Sequence, residues 1–189
     1  LRGLKPSFGL VSLYGALPLS WSLDHAGPMA RTAEDCAILL QATAGYDPQY
    51  NCSIANPGVS YRACLTNDLK GIRLGILTDP LFQQVDNEVL EAFKKGLVVM
   101  EQLGATVEEV SIPYLRHALD IGPIILAAEA ATYHAPFLKE RSTHYDPEVR
   151  SRLESGFAVP ATDYVKSQRV NGTLVKQMEH ALQRVDAIV

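Results

Sequence analysis

The stretch from Ile72 to Val110 constrains the fold more than any other part of this chain. Ile72 to Leu77 (IRLGIL) is an apolar run of strand length. Asp86 stands at an N-cap position, Val89, Leu90, Phe93, Leu97, Met100 and Leu103 then share one helical face, and Gly104 follows as a stop. Thr106 to Val110 alternates as a second strand. Two strands joined through a helix lie parallel with a right-handed crossover, so the chain belongs to the α/β class. A unit of this kind is shared with nucleotide-binding and flavodoxin-like modules, but no glycine-rich phosphate loop follows Leu77, which counts against them.

The flanks are less regular. Residues 1–30 carry Gly3, Pro6, Gly9, Gly15, Pro18, Gly27 and Pro28, the punctuation of an ordered loop with short strands. Thr32 followed by Asp35 predicts a capped helix from Ala33 to Ala44, with Gly45 as the left-handed residue that ends it. Tyr46 to Asp68 reads as a surface connection, with turns at Asp47-Pro48 and Asn56-Pro57-Gly58. After Pro113 a helical stretch is expected from Leu115 to about Arg141, bent near Gly122-Pro123. A second helix should follow Asp146-Pro147 and a long one should run from Thr162 to about Val185, with Asp186 to Val189 opening another strand. The expected organisation is one partial domain over 1–189, with a loop and capped helix (1–48), a βαβ unit (69–110) and a helical region (114–185).

Composition removes several classes of function. With 47% apolar and 20% charged residues in 189, the chain can bury a core and is not disordered. A net charge of −4 and no basic run leave no footprint for nucleic-acid binding by this segment. Ile121 to Ala131, the longest apolar-rich run, contains Gly122, Pro123 and Glu129, so no membrane span is expected. Cys36, Cys52 and Cys64 are odd in number and form no C-x-x-C pair, which fits free thiols in a reducing cytoplasm. No targeting segment is evident.

Most familiar chemistry is also missing. There is no Walker loop, G-x-S-x-G elbow, S-x-x-K pair or H-E-x-x-H helix. His25, His117, His134, His144 and His180 are scattered without metal-ligand spacing and read as surface or capping residues, so no metal or other cofactor is assigned. Glu108 and Glu109 are strand neighbours facing opposite sides, a poor carboxylate pair. His134 follows Glu129 by five helical positions, about 140° around the axis, so the two should not form an acid/base couple. Arg169, five residues after Tyr164 on the long helix, reads as part of a solvated face.

One stretch exceeds what core-building requires. SWSLDHAGPMAR packs Ser20, Ser22, Asp24, Gly27, Pro28 and Arg31 into a dozen residues, a density of turn formers and hydrogen-bonding groups suited to a loop beneath a site. The same groups also suit a structural turn leading into the capped helix.

The run from Gly3 to Gly15 (GLKPSFGLVSLYG), SLDHAGPMARTAED (Ser22 to Asp35) and AGYDP (Ala44 to Pro48) together resemble the amidase signature family. DLKGIRLGI (Asp68 to Ile76), LGATV (Leu103 to Val107) and VDAIV (Val185 to Val189) are similar to family segments in the same order. The resemblance implies an α/β/α amidase-signature fold on a mixed central sheet, truncated at both ends. It also implies a serine amidohydrolase that attacks an amide carbonyl with one serine, relays the proton through a second serine in a cis peptide, and uses a lysine as base. A lysine serves as base only where its surroundings lower its pKa.

In the family those three residues precede the G-L-K-P segment, so none of the catalytic residues is expected within this chain, Lys5 included, and the chain alone is expected to be inactive. Ser22, Asp24, Gly27, Pro28 and Arg31 are then expected to brace the serine loop. Tyr133, His134, Tyr164 and Asn171 are expected at the substrate cavity, beside the helical region. The implied partner is a small-molecule amide, with a homodimer or a partner subunit both left open. The glutamine-using subunit of tRNA-dependent amidotransferases is a well-known relative, but Glu129-Ala130-Ala131-Thr132-Tyr133-His134 and Gln168-Arg169-Val170-Asn171 depart from its pattern and count against strict glutamine specificity. A non-catalytic α/β binding domain derived from the fold is the rival reading.

Overall fold

The first thirty residues close on themselves. In the computed structural model, which describes residues 1–56, 58–66, 68–79 and 85–189, β1 (Arg2–Gly3) pairs antiparallel with β2 (Met29–Ala30), and Leu4 N donates to Pro28 O at 3.0 Å. This brings the two ends of the loop together and leads directly into α1 (Ala33–Thr43). Thr32 caps that helix as expected, its hydroxyl accepting from Asp35 N at 3.0 Å. Gly45 does not end it in the left-handed region. The chain turns at Ala44 in an extended conformation instead, because Leu10 O is placed to accept from Gly45 N and so satisfies the exit backbone. Cys36, Ala37 and Leu40 form the buried face, and Cys52 and Cys64 are exposed free thiols. Of the 46–68 connection, Pro57 and Asn67 lie outside the described residues, as do residues 80–84 before the next helix.

The βαβ unit forms as read. β3 (Arg73–Leu77) and β4 (Thr106–Val110) are parallel and in register from Arg73 opposite Thr106 to Leu77 opposite Val110, with α2 (Asn87–Gln102) between them in sequence. Asp86 occupies the N-cap position of α2, yet its side chain makes no capping hydrogen bond. Gly104 leaves the helix at φ +101°, a region open to glycine, and a Cβ there would press on the Lys70 backbone at 3.0 Å.

The helical half departs from expectation in its divisions. Leu115–His117 is a separate 3-10 turn, and α3 runs from Ala118 to Arg141, continuing through both Pro123 and Pro136. Each proline removes one ladder donor. α4 (Pro147–Ser155) starts at Asp146, whose Oδ1 accepts from Glu148 N and Val149 N, with Pro147 in the first turn. α5 (Ala161–Ala181) ends four residues before the expected Val185, since Val185 is needed elsewhere. It is fully buried beside Val110, Ile112 and Ala181, and the chain turns there into β5 (Ala187–Ile188), which pairs parallel with β3. The sheet order is β4-β3-β5, all parallel. A second core of Ala130, Leu138 and Leu153 joins α3 to α4. No helix among the described residues is long and apolar enough to cross a membrane.

Candidate functional site

The Ser20–Asp24 segment is a tied turn. Ser20 O accepts from Leu23 N and Asp24 N, and Asp24 Oδ2 in return accepts from Leu19 N at 2.8 Å and Ser20 N at 3.0 Å. A short acidic side chain that bonds its own backbone is what a turn of this kind needs. Held this way, the two serines converge on one residue of α3. Ser20 Oγ donates to Glu129 Oε2 at 2.6 Å, Ser22 N to the same oxygen at 3.1 Å, and Ser22 Oγ to Oε1 at 2.7 Å.

From α5, Tyr164 donates its hydroxyl to Oε1 at 3.0 Å, while Gln168 Nε2 donates to the Tyr164 oxygen at 3.2 Å. Glu129 is 1% exposed and Ser20 fully buried. A carboxylate so far from water persists only when donors replace its hydration, and here four donors divide evenly between its two oxygens. The Tyr164 hydroxyl is held above its ordinary pKa, first by burial and then by its bond to Glu129, with the Gln168 donor acting in the opposite sense.

Glu129 and Tyr164 also line a cleft of about 380 Å³, together with Trp21, Phe157 and Val159. The aromatic faces of Trp21 and Phe157 remain exposed beside it. Apart from the carboxylate cluster and Thr132 the cleft is apolar, a combination that suits an organic group with one polar end.

The residues singled out in the sequence fall in several places. Ser22 and Tyr164, expected in different roles, meet at Glu129. Asp24 ties the turn. At Gly27 the chain passes so near the Leu4 carbonyl that a Cβ would lie 2.0 Å from its oxygen, and Pro28 accepts the Leu4 amide. Arg31 is exposed and has no hydrogen-bond or ion-pair partner among the described residues. His134 is buried rather than at the surface, because its Nδ1 lies 2.9 Å from the Tyr145 hydroxyl and its ring meets Tyr145 and Tyr133 edge-on. His134 thus packs on Tyr145, just before α4, Tyr133 packs on His134 and Phe137 within α3, and neither is among the residues lining the 380 Å³ cleft. Asn171 lies two turns beyond Tyr164 on α5, half-buried.

Glu129 and Gln168 had no site role on the sequence alone. One signal was present for Glu129, a single acid inside the otherwise apolar Ile121–Ala131 run, which must find donors if that run is buried. No group of three or more His, Cys, Asp or Glu side chains among the described residues is placed to hold a metal ion.

A family model described as Amidase matches residues 1–189, the entire length of this sequence. The chain belongs to the amidase family. An "Amidase" of Pseudomonas putida is 38% identical over 188 residues, covering 99% of this chain and 40% of that protein. A glutamyl-tRNA(Gln) amidotransferase subunit of Pseudomonas savastanoi pv. phaseolicola is 35% identical over 213 positions, covering 100% of this chain and 44% of that protein. A solved amidase structure superposes with a TM-score of 0.78 at 34% identity, over 98% of this chain and 39% of the other. The amidase-signature fold read from the motifs is therefore the fold observed, and the chain spans about two fifths of the length of the curated relatives it matches.

Proposed function

We propose that the protein to which this segment belongs hydrolyses a carboxylic amide to an acid and ammonia or an amine. The serine oxygen bonds to the carbonyl carbon, the C–N bond breaks as the nitrogen takes up the proton relayed through the second serine and the lysine, and water then cleaves the acyl ester. Those three residues come from chain upstream of Leu1. Residues 1–48 support the serine loop through Ser22, Asp24, Gly27 and Pro28, with Arg31 at the edge of that support, and 114–185 form one side of the substrate cavity, which Tyr164 lines directly while Tyr133, His134 and Asn171 stand elsewhere on that helical side.

The observation that carries this reading over the amidotransferase one is the colinear alignment. The P. putida amidase aligns over 188 residues of this chain's 189, whereas the amidotransferase subunit needs 213 positions, at least 24 more than the chain has residues. The amidotransferase subunit therefore carries insertions here that this chain and the amidase lack.

The test is ammonia release by the complete protein over simple aliphatic and aromatic amides and glutamine. Release from simple amides without a second protein is expected. Turnover of glutamine alone, and only with partner subunits, would favour the amidotransferase reading, which the 35% identity keeps in view. Silence on every amide would favour a binding role for the fold.

A further inference from the structure

We propose that Glu129 is the positioning residue on which the first thirty residues hang, holding the Ser20–Asp24 turn in the register that amide hydrolysis requires. The inference rests on the amidase reading above and deepens it, since Glu129 was assigned no part there.

Three features of the geometry carry it. First, Glu129 joins segments that are otherwise far apart in sequence: its bonds to Ser20 and Ser22 span 109 and 107 positions, and its bond to Tyr164 spans 35. One carboxylate thus ties the N-terminal loop, α3 and α5 together. Second, an ionised carboxylate only accepts, so the hydroxyl hydrogens of Ser20, Ser22 and Tyr164 are all committed toward it. Loss of the carboxylate would leave the fully buried Ser20 hydroxyl and the Ser22 amide without an acceptor, and the turn would have to move to find one.

Third, any such movement is passed on. Asp24 ties the turn to Leu19 and Ser20, His25 Nδ1 sits 2.7 Å from Leu23 O with its ring edge-on to Phe8, and Gly27 and Pro28 pack against Leu4. These contacts connect Glu129 through the turn and His25, Gly27 and Pro28 to β1, which stands at the start of this segment, where the proposed serine loop joins. Both Glu129 oxygens are already taken by Ser20, Ser22 and Tyr164, so its effect runs through Ser20 and Ser22.

The experiment uses the complete protein and follows phosphonylation of the nucleophilic serine by an alkyl fluorophosphonate, in which the serine oxygen bonds to phosphorus, fluoride leaves and the base takes the serine proton. Circular dichroism at the assay temperature checks that each variant is folded. Glu129→Ala is expected to slow phosphonylation and kcat by about tenfold or more, with a smaller change in KM, because a misplaced nucleophile costs rate more than binding. Glu129→Gln is expected to recover most of that loss, since its amide oxygen can accept from Ser22 N while its NH₂ meets hydroxyls free to turn and accept.

A folded Glu129→Ala protein that is phosphonylated at the wild-type rate would reduce Glu129 to a stabilising role and overturn the proposal. If Glu129→Ala does not fold, Ser22→Ala and Tyr164→Phe decide: about threefold slowing in each is expected, and wild-type rates in both would overturn it. A wild-type protein that neither reacts nor releases ammonia removes the amidase reading itself, and this inference with it.

Discussion

Arg73 and Asp186 meet in a two-pronged ion pair, with Nη2 to Oδ1 at 2.9 Å and Nε to Oδ2 at 3.1 Å, at the point where β3 and β5 begin side by side. Asp186 Oδ2 also accepts the Arg73 backbone amide at 2.8 Å, and Asp186 N donates to Arg73 O. The pair thus joins the starts of the central and an outer strand with both side chains and backbone.

These contacts hold the Asp186 carboxyl down to about 2 from its ordinary 3.8, the Arg73 side-chain hydrogen bond being the largest cause. A carboxylate whose pKa is lower in the folded state contributes stability that is present above the unfolded value and lost as pH falls through the folded one. The complete protein should therefore melt higher than its Asp186→Asn variant at pH 6, and the gap should close between about pH 4 and pH 2. Thermal midpoints of both proteins across that range check it, and a gap independent of pH would refute it.

Asp24→Ala removes the acceptor of two backbone amides in the turn. The cost should be about 1–3 kcal/mol, with a fall in activity as the turn shifts away from Glu129. Asp24→Asn keeps an oxygen for both amides and should lie much closer to wild type. Denaturant midpoints together with ammonia release for the two variants measure this.

Gly27 and Gly45 separate close packing from mere flexibility. A Cβ at Gly27 would lie 2.0 Å from the Leu4 carbonyl oxygen, whereas one at Gly45 meets nothing within 4 Å, and neither residue has a left-handed φ. Gly27→Ala should cut the yield of folded protein severely and Gly45→Ala should leave it unchanged, as read from soluble expression and melting of each.

Ile112 is 1% exposed and packs in the cluster of Val110, Ala181 and Val185, where α5 covers the sheet. Ile112→Ala should destabilise the protein by about 2–5 kcal/mol, leaving KM unchanged in the fraction that stays folded. Equilibrium unfolding and steady-state kinetics on the same preparation test both halves of the statement.

What was legible in the sequence is what neighbours in the chain decide among themselves. The spacing of Val89, Leu90, Phe93, Leu97 and Met100 needed only the helical period, Thr32 needed an amide three residues on, and Asp146 needed amides two and three residues on. The motif runs around Gly3 to Asp35 carried the family. Helix ends were less legible where a distant residue set them. Gly45 was not required to be left-handed once Leu10 supplied an acceptor, and α5 stopped at Ala181 because Val185 is taken by the core beneath β3.

The candidate site divides the same way. Sequence alone determined that Ser20, Ser22 and Asp24 form a dense polar turn, that Glu129 is the single acid in the apolar Ile121–Ala131 run, and that Tyr164 lies on a later helix. Only the tertiary structure decided that these belong to one cluster, and that His134 turns instead to Tyr145. The physical reason is that a buried carboxylate must be solvated by whatever donors the packing brings to it. Residues 35 to 109 positions away hold those donors, and no local pattern records which of them will arrive.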